Sequence, residues 1–490
     1  MANERLEEIR KGRLKKRADL IADGVAPYPA EVKRTHTAQE ALDDFDNLTK
    51  EETPITLAGR LTAVREHGSV IFWDLTDATG KIQLQLSRED VPKEIFAKAG
   101  EADTGDFIEA AGKLITTQRG MPTLLVAEWH MLSKSIRPLP SDWYGFKDKE
   151  SRYRIRAVDF LMNDEARSVI VTRSKVIDWL REQMKQEGFL DVETPILQPM
   201  AGGATAAPFV THHETLDEDL YLRIAPELYL KRLLVGGFEK VFEVGRNFRN
   251  EGIDREHNPE FTMLEYYWAY ADYEDLMDFT EKLLTNLVRA INGNEDVKRG
   301  GETVSFAQPW KRLRYVDAVS DKIGIDILAE KDTTIYEDKF KELGLELPAV
   351  RTYAKLVDEL FKELIRPTLI NPTIVYDYPY ELVPLAKQNL TDPRIVEMFQ
   401  LVVYGAEVVK AYTELNDPVV QKERFEAQQE AREAGDKEIA QVDDNYIETM
   451  EYGMPPAAGC GIGIDRLVWL ITGAPTVRDT IAFPILRTKE

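Results

Sequence analysis

The chain has 490 residues, room for about two to four domains at roughly 100–200 residues each. With 43% hydrophobic and 30% charged residues it has the balance of a globular protein, which excludes a disordered acidic tail as its main content. Its 63 Lys+Arg and 86 Asp+Glu leave a net charge of −23, and an acidic surface repels phosphate, so taken alone the charge argues against a nucleic-acid partner. The single cysteine, Cys460, excludes an intrachain disulfide and a multi-cysteine metal site. No apolar run reaches the ~18 residues of a membrane span. Met1 to Arg17 mixes acids and bases without an apolar core, so no secretory signal is expected and a cytoplasmic location is.

Residues 1–50 read as a basic helical extension. Leu6, Ile9 and Leu14 can share an apolar side, and Ala38 to Phe45 can form a second short helix. Arg10 to Arg17 (RKGRLKKR) holds six basic residues in eight. Such a run is either a solvated helix face or a phosphate-contacting helix. Residues 51–140 change period. Ile55 and Leu57, Val70 and Phe72, Ile82 to Leu86, Phe107 to Ala111 and Leu124 to Trp129 mark five short strands. They suit an oligonucleotide-binding (OB) β-barrel, or equally a generic small β-domain. Residues 141–165 read as a linker.

Residues 166–490 read as one α+β domain. Ala166 to Lys185 is an amphipathic helix stopped by Gly188, and a second helix starts at the N-cap Asp272. Strand-like runs are Leu220–Ala225, Val241–Val244, Phe261–Ala269 and Thr373–Tyr376. The segment Asn416 to Glu451 has 11 acids and 4 bases, so part of the negative charge is local; residues 1–17 have 7 bases and 3 acids.

Two segments carry chemistry. Phe242 to Tyr270 (FEVGRNFRNEGIDREHNPEFTMLEYYWAY) is a strand–loop–strand with Arg249 and Glu251 on its first strand-like stretch. A guanidinium fork binds phosphate or carboxylate bidentately, although a lone Arg-x-Glu is more often a surface salt bridge. Gly459 to Arg466 (GCGIGIDR) strips side chains from one strand face, so a flat ligand or another backbone can approach. The adjacent pair His212–His213 cannot face one way, which argues against a two-histidine metal site. Cys460 at an apolar position reads as buried and inert.

Together these segments resemble motifs 2 and 3 of the class II aminoacyl-tRNA synthetases, and Gly188 to Pro195 (GFLDVETP) resembles motif 1, which in that class carries a dimer-interface proline. The stretches GGATAAPFVTHH, YLRIAPELYLKRLLVGGFEKVFEVGRNFRNEG, HNPEFTMLEYY, AYTELNDP and YGMPPAAGCGIGIDRLV narrow the resemblance to the lysyl-tRNA synthetases, over nearly the whole chain. It implies an OB-fold anticodon-binding barrel, a catalytic domain with an antiparallel sheet flanked by helices, and a homodimer. It also implies ATP, Mg²⁺, L-lysine and tRNA(Lys) as ligands.

Residue by residue, the resemblance places Glu265, Tyr267 and Glu414 around the substrate's terminal amine, with Tyr412 and Lys410 in the same lysine site. Two carboxylates and a phenol are what a buried ammonium requires. It gives the α-amino group to Glu227 and the Gly203 backbone, and the carboxylate to Arg249. For ATP it assigns Arg249 to the α-phosphate, Phe261 to the adenine face, and Arg466 to the opposite face and the γ-phosphate. Glu251, His257, Asn258 and Glu407 complete that shell. On the barrel it puts Arg65, Phe72, Gln83 and Glu128 on the anticodon; without the resemblance, Phe72 would read as core.

Four positions depart from the family pattern: Gln400 replaces a Glu that helps Glu407 bind Mg²⁺, Lys410 replaces an Asn, and Ala207 and Glu256 stand where relatives carry non-acidic, often basic, residues. Gln400 and Lys410 together add about two positive charges by residue count, so Lys410 could substitute for one Mg²⁺ or pair with the lysine carboxylate. They also motivate two other readings: an RNA-binding or regulatory protein with weakened catalysis, and a lysyl-adenylate enzyme with a non-tRNA acceptor.

Overall fold

The computed structural model describes residues 2–140, 148–204, 206–254, 257–383, 386–433 and 443–487. The chain divides into two compact units, Met1–Lys149 and Glu150–Glu490.

In the first unit five strands close a barrel in the order β1-β2-β3-β5-β4. They are β1 (Ile55–His67), β2 (Val70–Thr76), β3 (Lys81–Ser87), β4 (Phe107–Thr116) and β5 (Pro122–Ser133). Alternation decides what faces inward: Leu57, Trp73, Leu84 and Val126 are fully buried, with Trp73 edge-on to Trp129 at 5.1 Å. Phe72, one residue from Trp73, is only half-buried and therefore lies on the outer face.

The N-terminal residues form α1 (Ala2–Ala22), α2 (Ala38–Asp43) and α3 (Phe45–Lys50), and Leu20, Ala38, Ala41 and Leu48 join the barrel core. Helix does not continue through 23–37, because Gly24 takes φ +73° and Pro27 and Pro29 supply no N–H. The expected apolar side of α1 is not buried: Ile9 and Leu14 are exposed, and besides Leu20 the buried side chain is that of Arg13. Its guanidinium donates to Ser135 Oγ (3.0 Å), Arg137 O (3.1 Å) and Thr104 O (2.9 Å), and Lys16 pairs with Asp103 at 3.0 Å. Part of the basic run therefore anchors α1 to the barrel.

In the second unit, residues expected as linker form helices Lys149–Arg154 and Arg156–Met162; 141–147 lie outside the described residues. Polar composition hid them because their buried contact is an ion pair, Arg156 with Asp159, with Arg156 also donating to Asp479 O at 3.0 Å. The amphipathic helix α4 (Asp164–Gln186) starts at Asn163, whose side chain accepts from the Ala166 N–H, and is followed by Gly188 at φ +85°.

The central sheet has eight strands in the order β9-β10-β11-β12-β13-β8-β7-β6. They are β6 (Leu190–Asp191), β7 (Lys240–Phe248), β8 (Glu260–Ala269), β9 (Lys311–Arg314), β10 (Thr373–Pro379), β11 (Ile395–Val403), β12 (Ala406–Thr413) and β13 (Ala457–Gly463). It is antiparallel except for the two edge pairs, β6 with β7 and β9 with β10. One face carries Phe242, Tyr266, Cys460 and Ala411 into a core shared with α4, α6 (Tyr273–Asn292) and α8 (Ile464–Thr472). Cys460 is buried there, and burial pushes its thiol up to about 12. On the other face, Val241 and Tyr267 pack with α5 (Glu227–Val235) and α7 (Asp444–Glu451). The site lies on that face.

Candidate active site

Strand register builds the site in two adjacent ranks. Tyr267, Gly459 and Tyr412 stand opposite one another across β8, β13 and β12; in the next rank stand Glu265, Gly461, Lys410 and, on β11, Gln400. Opposed residues share a sheet face. The glycines make the space that these side chains use. A Cβ at Gly459 would lie 2.2 Å from Glu414 Oε1 and 2.4 Å from Tyr267 Cε1, and one at Gly461 2.8 Å from Met263 Cε. The stripped strand face is therefore filled largely by the chain's own pocket residues, not left bare for a ligand.

The resulting cavity is about 400 Å³. It is lined by Gly203, Glu227, Glu265, Tyr267, Lys410 and Tyr412 at one set of walls, and by Arg249, Glu251, His257, Asn258, Phe261, Glu407 and Arg466 at another. Arg249 and Glu251 do not lie on a strand, as the sequence suggested: β7 ends at Phe248 and both begin the loop beyond it. The loop is held by backbone bonds from Arg249 N to Pro259 O (2.8 Å) and from Asn250 N to Ala207 O (2.7 Å). Glu256 lies outside the described residues.

Arg249 stacks over Phe261, 5.0 Å from its ring centre, and its buried Nε has no hydrogen-bond partner. Burial pulls this guanidinium down and Glu251, Glu265 and Glu407 push it back up. Arg466, on the first turn of α8, donates to Glu407 O at 2.8 Å and to His257 Nε2 at 3.0 Å, while His257 Nδ1 meets Asp254 at 2.8 Å. That places the His257 proton on Nδ1. Asn258 donates to Glu260 O and leaves its buried Oδ1 unpartnered. Asp465 fixes the motif by accepting the Thr262 N–H at 2.8 Å and pairing with Arg173. Sequence reading missed both Arg173 and Asp465 in this bracing role.

At the other end, Glu265 is 5% and Glu414 0% exposed. Burial raises Glu265 to about 8, with Glu227 adding to it and Arg249 opposing; burial likewise raises Glu414 to about 8, with Lys231 opposing. Burial and the neighbouring carboxylates hold the Tyr267 phenol well above its usual range. Tyr412 Oη donates to Glu227 Oε2 at 2.9 Å. The sequence reading also missed Lys231: its ammonium lies 2.6 Å from Glu227 Oε1 and 2.5 Å from Glu414 Oε2.

Gln400 does not line the cavity, and Tyr378 Oη donates to its Oε1 at 2.8 Å. Among the described residues no cluster of three or more His, Cys, Asp or Glu is placed to hold a metal. Glu251 and Glu407 do line the cavity together. That donor set fits an ion such as Mg²⁺ that brings substrate phosphates as its remaining ligands.

On the barrel, Arg65, Phe72 and Gln85 are opposed across β1, β2 and β3, with Asp74 and Gln83 in a neighbouring rank. Arg65 pairs with Asp74 at 2.6 Å and Gln83 accepts from Thr123 Oγ1 at 3.0 Å. These residues share one outer face. Glu128 stands apart from them, opposite Ala111 on β4, exposed and 3.0 Å from His130.

An antiparallel sheet bearing a loop arginine stacked on an aromatic, and a Gly-strand leading into a helix with a second arginine, defines a class II aminoacyl-tRNA synthetase. The family model for class II tRNA synthetases (D, K and N) matches residues 148–487, and that for the OB-fold nucleic acid binding domain matches 55–137. The lysine–tRNA ligase of Carboxydothermus hydrogenoformans is 46% identical over 490 residues, covering 100% of both chains. Those of Thermotoga maritima and Shouchella clausii are each 44% identical, covering 99% and 96% of this chain and 97% and 95% of theirs. The chain belongs to the lysyl-tRNA synthetase family of class II.

Proposed function

We propose that the chain activates L-lysine with ATP to lysyl-adenylate and transfers the lysyl group to the 3′-OH of tRNA(Lys). The observation that carries this reading is one cavity with Glu227 and the buried Glu265 toward one end and two arginines at the other, the buried Glu414 standing just beyond the lining against Gly459. A cationic side chain matches the first end; a neutral one would leave buried carboxylates unpaired, a penalty that can reach about 10⁴-fold in selectivity. Glu265, Glu414 and Tyr267 receive the terminal ammonium, Glu227 and the Gly203 backbone the α-amino group. Arg249 draws the lysine carboxylate and the α-phosphate together, so that a carboxylate oxygen attacks α-phosphorus in line and pyrophosphate leaves. Phe261 and Arg466 clamp the adenine between them, with Arg466 reaching the γ-phosphate and Glu251, His257 and Asn258 completing the shell. No protein nucleophile takes part; positioning and charge stabilisation carry the rate. The 3′-OH of tRNA then attacks the acyl carbonyl and AMP leaves. Glu251 and Glu407 would hold Mg²⁺, which supplies charge neutralisation on the phosphates.

Further parts of the reading concern the chain's surroundings. Arg65, Phe72 and Gln83 read anticodon bases by stacking and edge hydrogen bonds, Glu128 contributing from a separate position. Pro195, Ile196 and Leu197 are exposed beside the motif 1 stretch and support a homodimer. No helix among the described residues is long and apolar enough to cross a membrane, and a cytoplasmic location fits the enzyme. The test is lysine-dependent ATP–pyrophosphate exchange followed by charging of tRNA(Lys) transcripts. Both are expected. Exchange without charging would favour a non-tRNA acceptor, and no exchange at any Mg²⁺ concentration would favour a regulatory protein.

A further inference from the structure

We propose that Lys231 is a positioning residue for lysine recognition: a resident ammonium that holds Glu227 and Glu414 in place before the substrate arrives and fixes how much uncompensated negative charge the pocket offers. This rests on the lysine-activating reading above.

The geometry is specific. Lys231 lies one helical turn after Glu227 on α5, and its side chain is 4% exposed. Its ammonium is 2.6 Å from Glu227 Oε1 and 2.5 Å from Glu414 Oε2, and it lies 5.9 Å and 5.7 Å from the ring centres of Tyr267 and Tyr412. Tyr412 occupies the second oxygen of Glu227. Glu227 is thereby fixed from both sides. Glu414 is held on one side only: Lys231 meets its Oε2 at 2.5 Å, and its buried Oε1 has no hydrogen-bond donor. A buried carboxylate oxygen with no donor is costly unless a ligand supplies one. A further cation brought against Glu414 would supply that donor.

The other titratable group facing Lys231 is Tyr446 of α7, whose buried hydroxyl has no partner. Burial opposes charge on Lys231, but Glu227 and Glu414 outweigh it and push the ammonium well above the usual lysine range. Lys231 in turn pulls Glu414 down against burial. Without that ammonium Glu414 protonates more readily, losing its negative charge and gaining an O–H donor, which makes it a poorer partner for a substrate ammonium.

The test is Lys231→Met and Lys231→Arg in pyrophosphate exchange from pH 6 to 9, with KM for lysine and for ATP determined separately. Lys231→Met is expected to raise KM for lysine tenfold or more at pH 7 and to move the acidic limb of the lysine kcat/KM profile to higher pH, leaving KM for ATP unchanged. Lys231→Arg, which keeps the charge, is expected to restore the position of that limb. If Lys231→Met does not fold, Lys231→Gln carries the same expectations. A Lys231→Met or Lys231→Gln profile superimposable on wild type, or a uniform loss of kcat with the limb unmoved, would overturn the proposal. Failure of the underlying reading looks different: wild type itself would show no lysine-dependent exchange.

Discussion

Glu265 and Glu414 are each held near 8 because burial disfavours their charged forms. A substrate ammonium favours the ionised forms and lowers both pKa values on binding, so lysine binding releases protons. Affinity for lysine should therefore rise as pH climbs from 6 to about 8 and level off above, by up to about tenfold per pH unit for each proton released. Calorimetry in two buffers of different ionisation enthalpy reads the protons directly; a flat affinity with no proton release would contradict the charge state derived for the empty pocket. Lys410 lines the same cavity in the rank of Glu265 and Gly461. Lys410→Asn should raise the Mg²⁺ concentration needed for half-maximal exchange, and an unchanged Mg²⁺ dependence with unchanged lysine KM would remove Lys410 from the account. These side chains were named in sequence only through the family resemblance. Lys231 was not: a Glu and a Lys four apart on a helix look like an ordinary exposed pair, and only the fold buries this one against Glu414.

The strand Ala457–Gly463 is where sequence pattern and packing agree most closely, yet the reason differs from the one the pattern suggests. Gly459 gives up its side chain to Glu414 and Tyr267, whereas a Cβ at Gly463 would meet nothing nearer than 3.8 Å. Gly459→Ala should thus lower kcat/KM for lysine about 100-fold or more, an overpacking penalty of roughly 1–3 kcal/mol compounded by displacement of Glu414. Gly463→Ala should stay within a few-fold of wild type. Equal effects of the two substitutions would refute this division. The neighbouring hairpin Ile395–Val403 and Ala406–Thr413 carries Gln400, Glu407, Lys410 and Tyr412, but its strands did not stand out in the sequence. Ile395–Val403 is buried on two faces and reads as a nearly continuous apolar run, while Ala406–Thr413 interrupts its apolar residues with Glu407 and the exposed Lys410 and shows no clean alternation. The signal present was the turn, Tyr404-Gly405, with φ of 51° and 72°.

At the scale of the whole chain, the net charge of −23 turns out to say little about nucleic acid. The charge is averaged over two units with separate cores, and part of the basic run Arg10–Arg17 serves the barrel's own stability through Arg13 and Lys16. In the proposed function RNA contact rests on local surfaces, above all the outer barrel face bearing Phe72. Phe72→Ala should raise KM for tRNA in charging about 5- to 150-fold, as loss of one stacked base worth ~1–3 kcal/mol implies, and leave tRNA-independent exchange untouched. A parallel fall in exchange would mean that Phe72 supports the fold instead. The five barrel strands were readable from alternation alone, and closure settles which side of Phe72 faces out. In the other unit, the proposed function has the buried carboxylates choose lysine among the substrates that related class II enzymes use. ATP–pyrophosphate exchange with lysine, aspartate and asparagine in parallel tests it most directly. Exchange with lysine is expected, with a preference over the other two of about 10⁴-fold or more; comparable exchange with aspartate or asparagine would rule out selection by the buried carboxylates.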